Sequence, residues 1–396
     1  MTAAAHQGLA AYLGDDAMAA QWSDAALLAD MLRFEAALAD AQARHGVIEP
    51  AAAALIGEVC ASLRPDPQAI GQAARVAGTL AIPLVQALRS AVAERDTAAA
   101  AQVHHGATSQ DVIDTAMMLR TAAALDLLEP LLAQTGDALA QLAVAHAGTA
   151  MTGRTLLQAA VPIPFGAKVA VWLSGLSRSR RALHRLRHTQ LMLQFGGAAG
   201  TLHLLGAAAP AVTHTLAHAL GLQSAPIPWH AQRDCPARLA GEVSILCGVL
   251  AKIGRDVALL MQDGTAEVSE PQAAGRGVSS AMAHKHNPVG CMAMIEAAHR
   301  TAGLHAVLLG ELAGEHERAV GAWQNQVFVL RELFVAAGSA ARAAHEVCTG
   351  LQVDAARMQA NLLRSAQGQF DPALDAAAAQ WMIDAVVADW RRGAGD

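Results

Sequence analysis

The hydrophobic residues between Arg238 and Asp263 recur at alternating steps of four and three positions, the spacing of one face of a long α-helix. They are Leu239, Val243, Leu246, Leu250, Ile253, Val257 and Leu260. Gly264 follows this run, and glycine commonly ends helices. The pattern predicts one helix along this stretch, with its apolar face buried against other helices or, in part, against another subunit.

The same spacing predicts two further long helices. The first carries Leu125, Leu128, Leu132, Leu139 and Leu142, with Pro130 as the position of a kink. The second follows Pro288 and places Met292, Ile295, Ala302 and Leu309 on one face. Long helices bury such faces against one another, so the expected architecture is a central bundle over residues 105–350.

The regions on either side predict smaller helical units. Breaks at Gly46, at Pro65-Asp66-Pro67 and at Ile82-Pro83 divide the first hundred residues into short helices, which indicates an N-terminal helical domain at residues 1–104. Residues 351–396 are expected to form a short C-terminal helical region, in which one helix follows Asp371-Pro372.

The composition favours an all-α globular fold, because 54% of the residues are hydrophobic and only 3% are aromatic. A formal net charge of −6 disfavours a nucleic-acid partner, and the basic run at 178–187 is typical of a solvated helix face. The five cysteines are scattered and form no C-x-x-C pair, which predicts reduced thiols in a cytoplasmic protein. No secretion leader or membrane-spanning stretch is recognisable, so a membrane is not an expected partner.

The segment from Val278 to Pro288, VSSAMAHKHNP, concentrates groups that handle anions. Two hydroxyls, a lysine and an amide fall within eleven residues, and flanking glycines favour an irregular backbone. A serine can exchange a proton with carbon if cations and backbone N–H groups stabilise its alkoxide. The segment predicts a functional loop that leads into a helix, and the alternative is a merely polar surface loop.

Three other segments carry candidate chemistry. His104 to Asp111 precedes a predicted helix start and can grip a carboxylate, or it can be an ordinary capping segment with Ser109 or Asp111 as the N-cap. Thr152 to Gln158 offers a guanidinium, a hydroxyl and an amide as a carboxylate clamp. Pro228 to Asp234 is either a further polar site segment or a loop with a local Arg233–Asp234 pair.

Neither a metal nor an organic cofactor is expected. Seventeen histidines are present, but the sequence contains no H-E-x-x-H motif, and pairs such as His284 with His286 lack an obvious carboxylate partner. No phosphate-binding loop or dinucleotide-type glycine fingerprint follows a predicted strand.

Taken together, these segments resemble the fumarase/aspartase superfamily, whose serine loop has the form G-S-S-x-M-P-x-K-x-N-P. Within it the chain is most similar to the bacterial 3-carboxy-cis,cis-muconate cycloisomerases, through HGATSQDVID at 105–114, GRTLLQ at 153–158, FGGAAG at 195–200 and PWHAQRD at 228–234. The similarity runs from about residue 20 to about residue 365. It implies an all-α homotetramer, with a reduced third domain, in which each active site takes segments from three subunits and uses no cofactor or metal.

The resemblance also implies roles for individual residues. Ser279 matches the serine that exchanges the Cα proton and is the expected catalytic residue. The expected substrate-binding residues are His105, Thr108, Ser109, Gln110, Arg154, Thr155, Gln158, His230, Arg233, Ser280, Lys285 and Asn287. Arg276 is a further candidate cation for a substrate with three carboxylates.

Leu156 decides between reactions, because the related amino and hydroxyl lyases have a histidine there that handles the leaving group. A lactonisation needs no such base, since its nucleophile is a substrate carboxylate, ionised at pH 7 with a reference pKa of about 4. The expected function is therefore the cofactor-independent lactonisation of 3-carboxy-cis,cis-muconate, a small tricarboxylate. The alternatives are a fumarate-releasing lyase of the same superfamily and a non-catalytic relative.

Four positions depart from the family pattern. Val278 replaces a glycine, Ala283 a proline, His286 an arginine that is often present, and Ala159 a histidine common among the cycloisomerases. If the backbone at Val278 requires a positive φ, the substitution costs about 1 kcal/mol or more.

Overall fold

The computed structural model describes residues 8–282, 285–366 and 377–393. Ala283 and His284 lie outside the described residues. The described chain is almost entirely helical, which confirms the predicted all-α class. The helices in chain order are α1 Asp16–Gln21, α2 Asp24–Arg44, α3 Pro50–Ser62, α4 Pro67–Ala77, α5 Ala81–Ala93, α6 Thr97–Ala100, α7 Ser109–Ala145, α8 Phe165–Thr189, α9 Ala209–Leu220, α10 Asp234–Leu260, α11 Val289–Gly310, α12 Gln326–Gly350, α13 Ala355–Ala366 and α14 Ala377–Arg391.

Five long helices, α7, α8, α10, α11 and α12, pack side by side as the central bundle. The predicted apolar face of α10 lies at its centre, where six of its seven residues have no exposed surface and Leu260 is 4% exposed. This face is therefore covered within the chain itself. Burial of each such leucine or isoleucine contributes about 1.5–3 kcal/mol to folding, which explains why the pattern was readable from the sequence.

The apolar face of α11 behaves differently. The helix predicted after Pro288 is present as Val289–Gly310, but Met292 remains 56% exposed and Leu309 48% exposed. Ala302, on the same face, is exposed as well. The single chain thus leaves uncovered a helix face that the sequence pattern predicts to be buried.

The shorter helices pack around the bundle. α2 packs against α7 and α9, and Trp22 stacks on Phe334 of α12 with ring centroids 5.7 Å apart. The predicted C-terminal helix is α14, whose Trp390 contacts α7 at Gly136, where a Cβ atom would lie 2.1 Å from the indole ring. Among the described residues no single helix is long and apolar enough to cross a membrane, although α4 and α5 together form one bent pair that passes by length and composition.

Two small antiparallel sheets interrupt the helices, and no alternating pattern in the sequence indicates them. β1 (Ala150–Thr155) and β2 (Gln158–Pro164) form a hairpin between α7 and α8, and β3 (Val268–Ser269) pairs with β4 (Gln352–Val353). Both sheets lie at the same end of the bundle, where α7 and α10 end. The hairpin carries Arg154, Thr155 and Gln158 of the predicted site residues.

Candidate active site

The candidate segments occupy opposite ends of the bundle. α7 has 37 residues and α10 has 27, so at 1.5 Å per residue they extend for about 55 Å and 40 Å. Residues 105–110 and 230–233 lie at the start of these two helices, whereas the hairpin and the serine loop lie beyond their ends. We call the first location, with residues 105–110 and 230–233, the amide end. We call the second, with the β1–β2 hairpin and the serine loop at 278–288, the serine end.

Asp111 organises the amide end. Its fully buried carboxylate accepts hydrogen bonds from the backbone amides of Thr108 at 3.0 Å and of Gly196 and Gly197 at 2.9 Å, and lies 2.6 Å from Nε2 of His230. Thr108 is the N-cap of α7 and completes a capping box with Asp111. The predicted N-cap, Ser109 or Asp111, was therefore wrong.

Other residues predicted at the amide end lie around this carboxylate. The buried side chain of Gln110 donates to the carbonyl oxygen of His230 at 2.9 Å. Ser109 stands in the first turn of α7 and is partly exposed, as is His105, whose carbonyl oxygen accepts from Gln42 at 2.6 Å. The predicted residues are thus brought together, and His105, Thr108 and Ser109 are partly exposed.

Arg233 is already compensated inside the protein. Its side chain is 2% exposed and forms two hydrogen bonds to Asp114, at 2.5 and 2.9 Å, and two to Gln326. The local pair with Asp234 that the loop alternative predicts does not form, because Asp234 bonds Arg238 instead. This buried guanidinium links α7, α10 and α12, and removing it would leave the Asp114 carboxylate buried without its cation.

Arg318 was missed by sequence reasoning. It lies between α11 and α12 and reaches the amide end, where its Nη2 donates to Thr108 Oγ1 at 2.7 Å and to the carbonyl oxygen of Ala198 at 3.0 Å. Among the described residues it forms no ion pair, and its Nε is buried without a partner. An arginine beside Glu315 and Glu317 resembles an ordinary surface residue, so only the fold reveals its position.

The hairpin presents Arg154 at the serine end. The guanidinium makes a two-pronged ion pair with Glu267, with N–O distances of 2.7 and 3.0 Å, and Glu267 has no exposed surface. The Arg154 side chain is 29% exposed, and Thr155 and Gln158 beyond it are exposed. Lys168, on the first turn of α8, lies within electrostatic range of this pair, and burial lowers its pKa.

Leu156 and Leu157 form the tip of the hairpin. Thr155 pairs with Gln158, so the two leucines are the central residues of a two-residue turn, with φ of 51° and 65°. Positive φ at both positions defines a type I′ turn, which strongly favours glycine and asparagine. The chain nevertheless places two strained apolar side chains there, 96% and 75% exposed.

The serine loop is closed at its base by the backbone. Val278 pairs with His286 in an antiparallel bridge, and the amide of Asn287 donates to the carbonyl oxygen of Gly277 at 2.8 Å. Val278 does not have a positive φ, so the predicted penalty does not apply to it. The left-handed residue is Gly277, with φ of 63°, where a Cβ atom would lie 2.4 Å from the carbonyl oxygen of Asn287.

Ser279 lies inside this loop and is partly exposed. Its Oγ accepts hydrogen bonds from the backbone amides of Ala281 at 3.3 Å and Met282 at 3.1 Å. Two amides aimed at one hydroxyl oxygen stabilise negative charge on it, which is the requirement for a serine that exchanges protons. Ser280 and Lys285 are exposed on the same loop, and Asn287 is partly buried at its base.

Glu270 and Arg276 anchor the loop to the bundle. The Glu270 carboxylate accepts from the amides of Gly290 and Cys291 at the start of α11, at 3.1 and 2.8 Å, and pairs with Arg276. Arg276 also pairs with Glu346 of α12 at 2.7 Å. A cavity of about 530 Å³ lies behind this anchor and is lined in part by His286 and Asn287.

Comparison with known proteins places the chain in a family. The family model described as "Lyase" matches residues 13–303. The chain is 45% identical to a Pseudomonas aeruginosa protein named 3-carboxy-cis,cis-muconate cycloisomerase, over 90% of this chain and 78% of that protein. It is 43% identical to a nitrosuccinate lyase of Streptomyces davaonensis, over 86% and 73% of the two chains.

A solved structure is similar over nearly the whole fold. The 3-carboxy-cis,cis-muconate lactonizing enzyme from Pseudomonas putida superposes with a TM-score of 0.86 at 40% identity, covering 98% of this chain and 88% of that one. The fold and the sequence together define an all-α enzyme of the lyase class. The chain belongs to the fumarase/aspartase superfamily of lyases.

Proposed function

We propose that the protein is a cofactor-independent cycloisomerase that closes 3-carboxy-cis,cis-muconate to a carboxymuconolactone, a step of aromatic degradation. The observation that carries the proposal is the hairpin tip, where Leu156 and Leu157 leave no ionisable side chain for a leaving group. Relatives that bear the name of this activity match the chain at 45% identity. A lactonisation needs no such side chain, because its nucleophile is a substrate carboxylate that is already ionised at pH 7.

In the proposed reaction a substrate carboxylate adds to the diene, and negative charge moves into the neighbouring carboxylate as an enolate-like species. Ser279 then donates a proton to the α-carbon, and the amides of Ala281 and Met282 stabilise the alkoxide left behind. The proton balance closes without a base, because the nucleophile is already ionised. The serine then recovers a proton from solvent before the next turnover.

The cations of the site fall into two groups, those paired with a carboxylate of the protein and those without such a partner. Arg233, Arg154 and Arg276 are each paired with a carboxylate of the protein. Lys285 and Arg318 form no ion pair among the described residues, so they carry uncompensated positive charge for an anionic substrate. We therefore assign Arg233 a structural role and add Arg318 to the substrate-binding residues.

We further propose that each active site is assembled between subunits of a homotetramer. Two observations support this: the amide end and the serine end are about 40 Å apart along α10, and α11 exposes an apolar face. A second copy that covers this face can bring its own amide end beside the serine loop of the first. The five buried, unpaired thiols fit the cytoplasm as its location.

The experiment is turnover of the triacid, followed as loss of its ultraviolet absorbance. Purified protein should consume it, Ser279→Ala should lower kcat at least a hundredfold, and the matched control Ser62→Ala at the exposed end of α3 should keep full activity. A Ser279→Ala variant within a few-fold of the unsubstituted protein would refute the catalytic assignment.

The alternatives have separate outcomes. Release of fumarate from argininosuccinate or adenylosuccinate, or turnover of nitrosuccinate in place of the triacid, would identify a lyase instead. A stable tetramer that turns over none of these substrates would identify a non-catalytic relative.

A further inference from the structure

A buried carboxylate and an imidazole form a pair at the amide end, outside the residues assigned above. Glu35 of α2 is 1% exposed, and its Oε1 lies 2.6 Å from Nδ1 of His104. The other oxygen, Oε2, is buried and has no hydrogen-bond partner. A buried carboxylate with a single partner is expensive to keep, so the pair requires an explanation.

His104 is held in a strained, fixed conformation. Its backbone is left-handed, with φ of 62°, and the residues on either side are clamped by side chains from two helices. Gln42 of α2 donates to the carbonyl oxygen of His105 at 2.6 Å, and Arg89 of α5 donates to that of Val103 at 3.1 Å. Strain in a non-glycine residue persists only where the surroundings enforce it, and it is concentrated at functional sites.

The pairing fixes which ring nitrogen titrates. Nδ1 carries a hydrogen and donates it to Glu35 whether the ring is charged or neutral, which leaves Nε2 to gain or lose the proton. Nε2 has no hydrogen-bond partner among the described residues, and the His104 side chain is 14% exposed. The titrating atom is thus without a hydrogen-bond partner in the part of the protein that the structure describes.

The surrounding charges favour the imidazolium form. Burial alone lowers the pKa of His104, but the charge and hydrogen bond of Glu35 and the charge of Asp111 outweigh it, so the net pKa is raised. Arg89 opposes them. Cys60 of α3 lies within electrostatic range of Glu35, and its pKa is raised to about 12 by burial and by Glu35, so the thiol stays neutral.

We propose that Glu35 is a positioning residue that holds His104 as a cationic carboxylate-binding group of the active site. His104 belongs to the same short segment as Thr108, to which Arg318 is bonded, so the two cations serve one end of an extended anionic substrate. The inference rests on the proposed function, because it assigns a subsite to one carboxylate of the triacid. It makes binding at that end dependent on pH.

Calorimetry with a non-reacting tricarboxylate tests the assignment on the full-length protein. Tricarballylate binding should weaken as pH rises through the raised pKa of His104, and binding should take up a proton, measured as a dependence of the heat on the ionisation enthalpy of the buffer. Glu35→Gln should move this decline to lower pH, so that, at a pH above both the original and the shifted pKa, affinity falls about tenfold for each unit of pKa shift. His104→Gln should abolish the pH dependence.

Asp30→Asn is the matched control, because Asp30 is a buried acid of the same helix that pairs with Arg120 instead. Asp30→Asn should keep the pH profile of the unsubstituted protein. Glu35→Asp, which retains a carboxylate, should keep most of that profile. The proposal is overturned if Glu35→Gln keeps the original profile, or, should that variant fail to fold, if His104→Gln keeps it. Absence of tricarballylate binding by the unsubstituted protein would overturn the subsite proposal too. If only the proposed reaction is wrong, the protein will still bind tricarballylate with this pH dependence but will not turn over the triacid.

Discussion

Gly277 is the residue on which the geometry of the serine loop depends most directly. Its left-handed backbone closes the loop against Asn287, and a Cβ atom there would lie 2.4 Å from a backbone oxygen that cannot rotate away. Gly275, two residues earlier, has a φ of 80° but nothing within 4 Å of its Cβ position. The two glycines therefore separate the effect of backbone conformation from the effect of crowding.

The magnitudes follow from this difference. A left-handed alanine costs about 1 kcal/mol, which applies equally to Gly275→Ala and Gly277→Ala. Only the second must also break the hydrogen bond from Asn287 to residue 277, at about 1 kcal/mol more. If these energies lower the fraction of molecules whose serine loop is in the catalytic conformation, kcat/KM falls about fivefold in Gly275→Ala and about thirtyfold in Gly277→Ala.

The assay is kcat/KM for triacid turnover, with thermal unfolding of each variant measured in parallel. Because the change lies in a loop at the edge of the fold, the melting temperatures of the two variants should agree within a few degrees. Equal activities of Gly275→Ala and Gly277→Ala would mean that contact with Asn287 does not set the catalytic loop, and the reasoning would be wrong.

Three other predictions concern stability and reactivity. Arg233→Ala leaves the buried Asp114 carboxylate uncompensated and should lower the free energy of unfolding by about 3–5 kcal/mol, measured by urea denaturation; a loss below 1 kcal/mol would contradict the pairing. His104→Gln should destabilise the protein more at pH 6 than at pH 9, since a raised pKa gives stability that is fully present below the ordinary value of 6.5 and is lost as pH rises through the folded value; equal losses at both pH values would rule this out. Burial raises the pKa of Cys247 and of Cys348 to about 12, so these thiols should react with Ellman's reagent only after unfolding, and fast labelling of the native protein would disprove their burial.

The long helices could be read from the sequence because the burial of their apolar faces repeats along the chain. The α10 pattern located its helix to within four residues at either end, and the leucines of α7 lie within a second long helix of the bundle. The β1–β2 hairpin could not be read in this way. Its turn contains Leu156 and Leu157, residues that neither favour a turn nor alternate in polarity, so long-range packing determines it.

Individual site residues were predictable only as far as their partners are local. Thr108 and Asp111 lie three residues apart, and the capping segment could be anticipated, although the N-cap itself was misplaced. The partner of Arg233 is 119 residues away in the sequence, which no local pattern reveals. The Glu35–His104 pair is separated by 69 positions and escaped notice for the same reason.

The placement of the amide end and the serine end at opposite ends of one rigid bundle has a genetic consequence. Under the proposed assembly, a subunit damaged at one end still offers a sound segment at the other. A cell that carries two different inactive alleles, one altered at Ser279 and the other at Arg318, can then build some wholly intact sites from mixed subunits. Recessive lesions in such a gene should sort into two complementing groups that match the two ends of the helices.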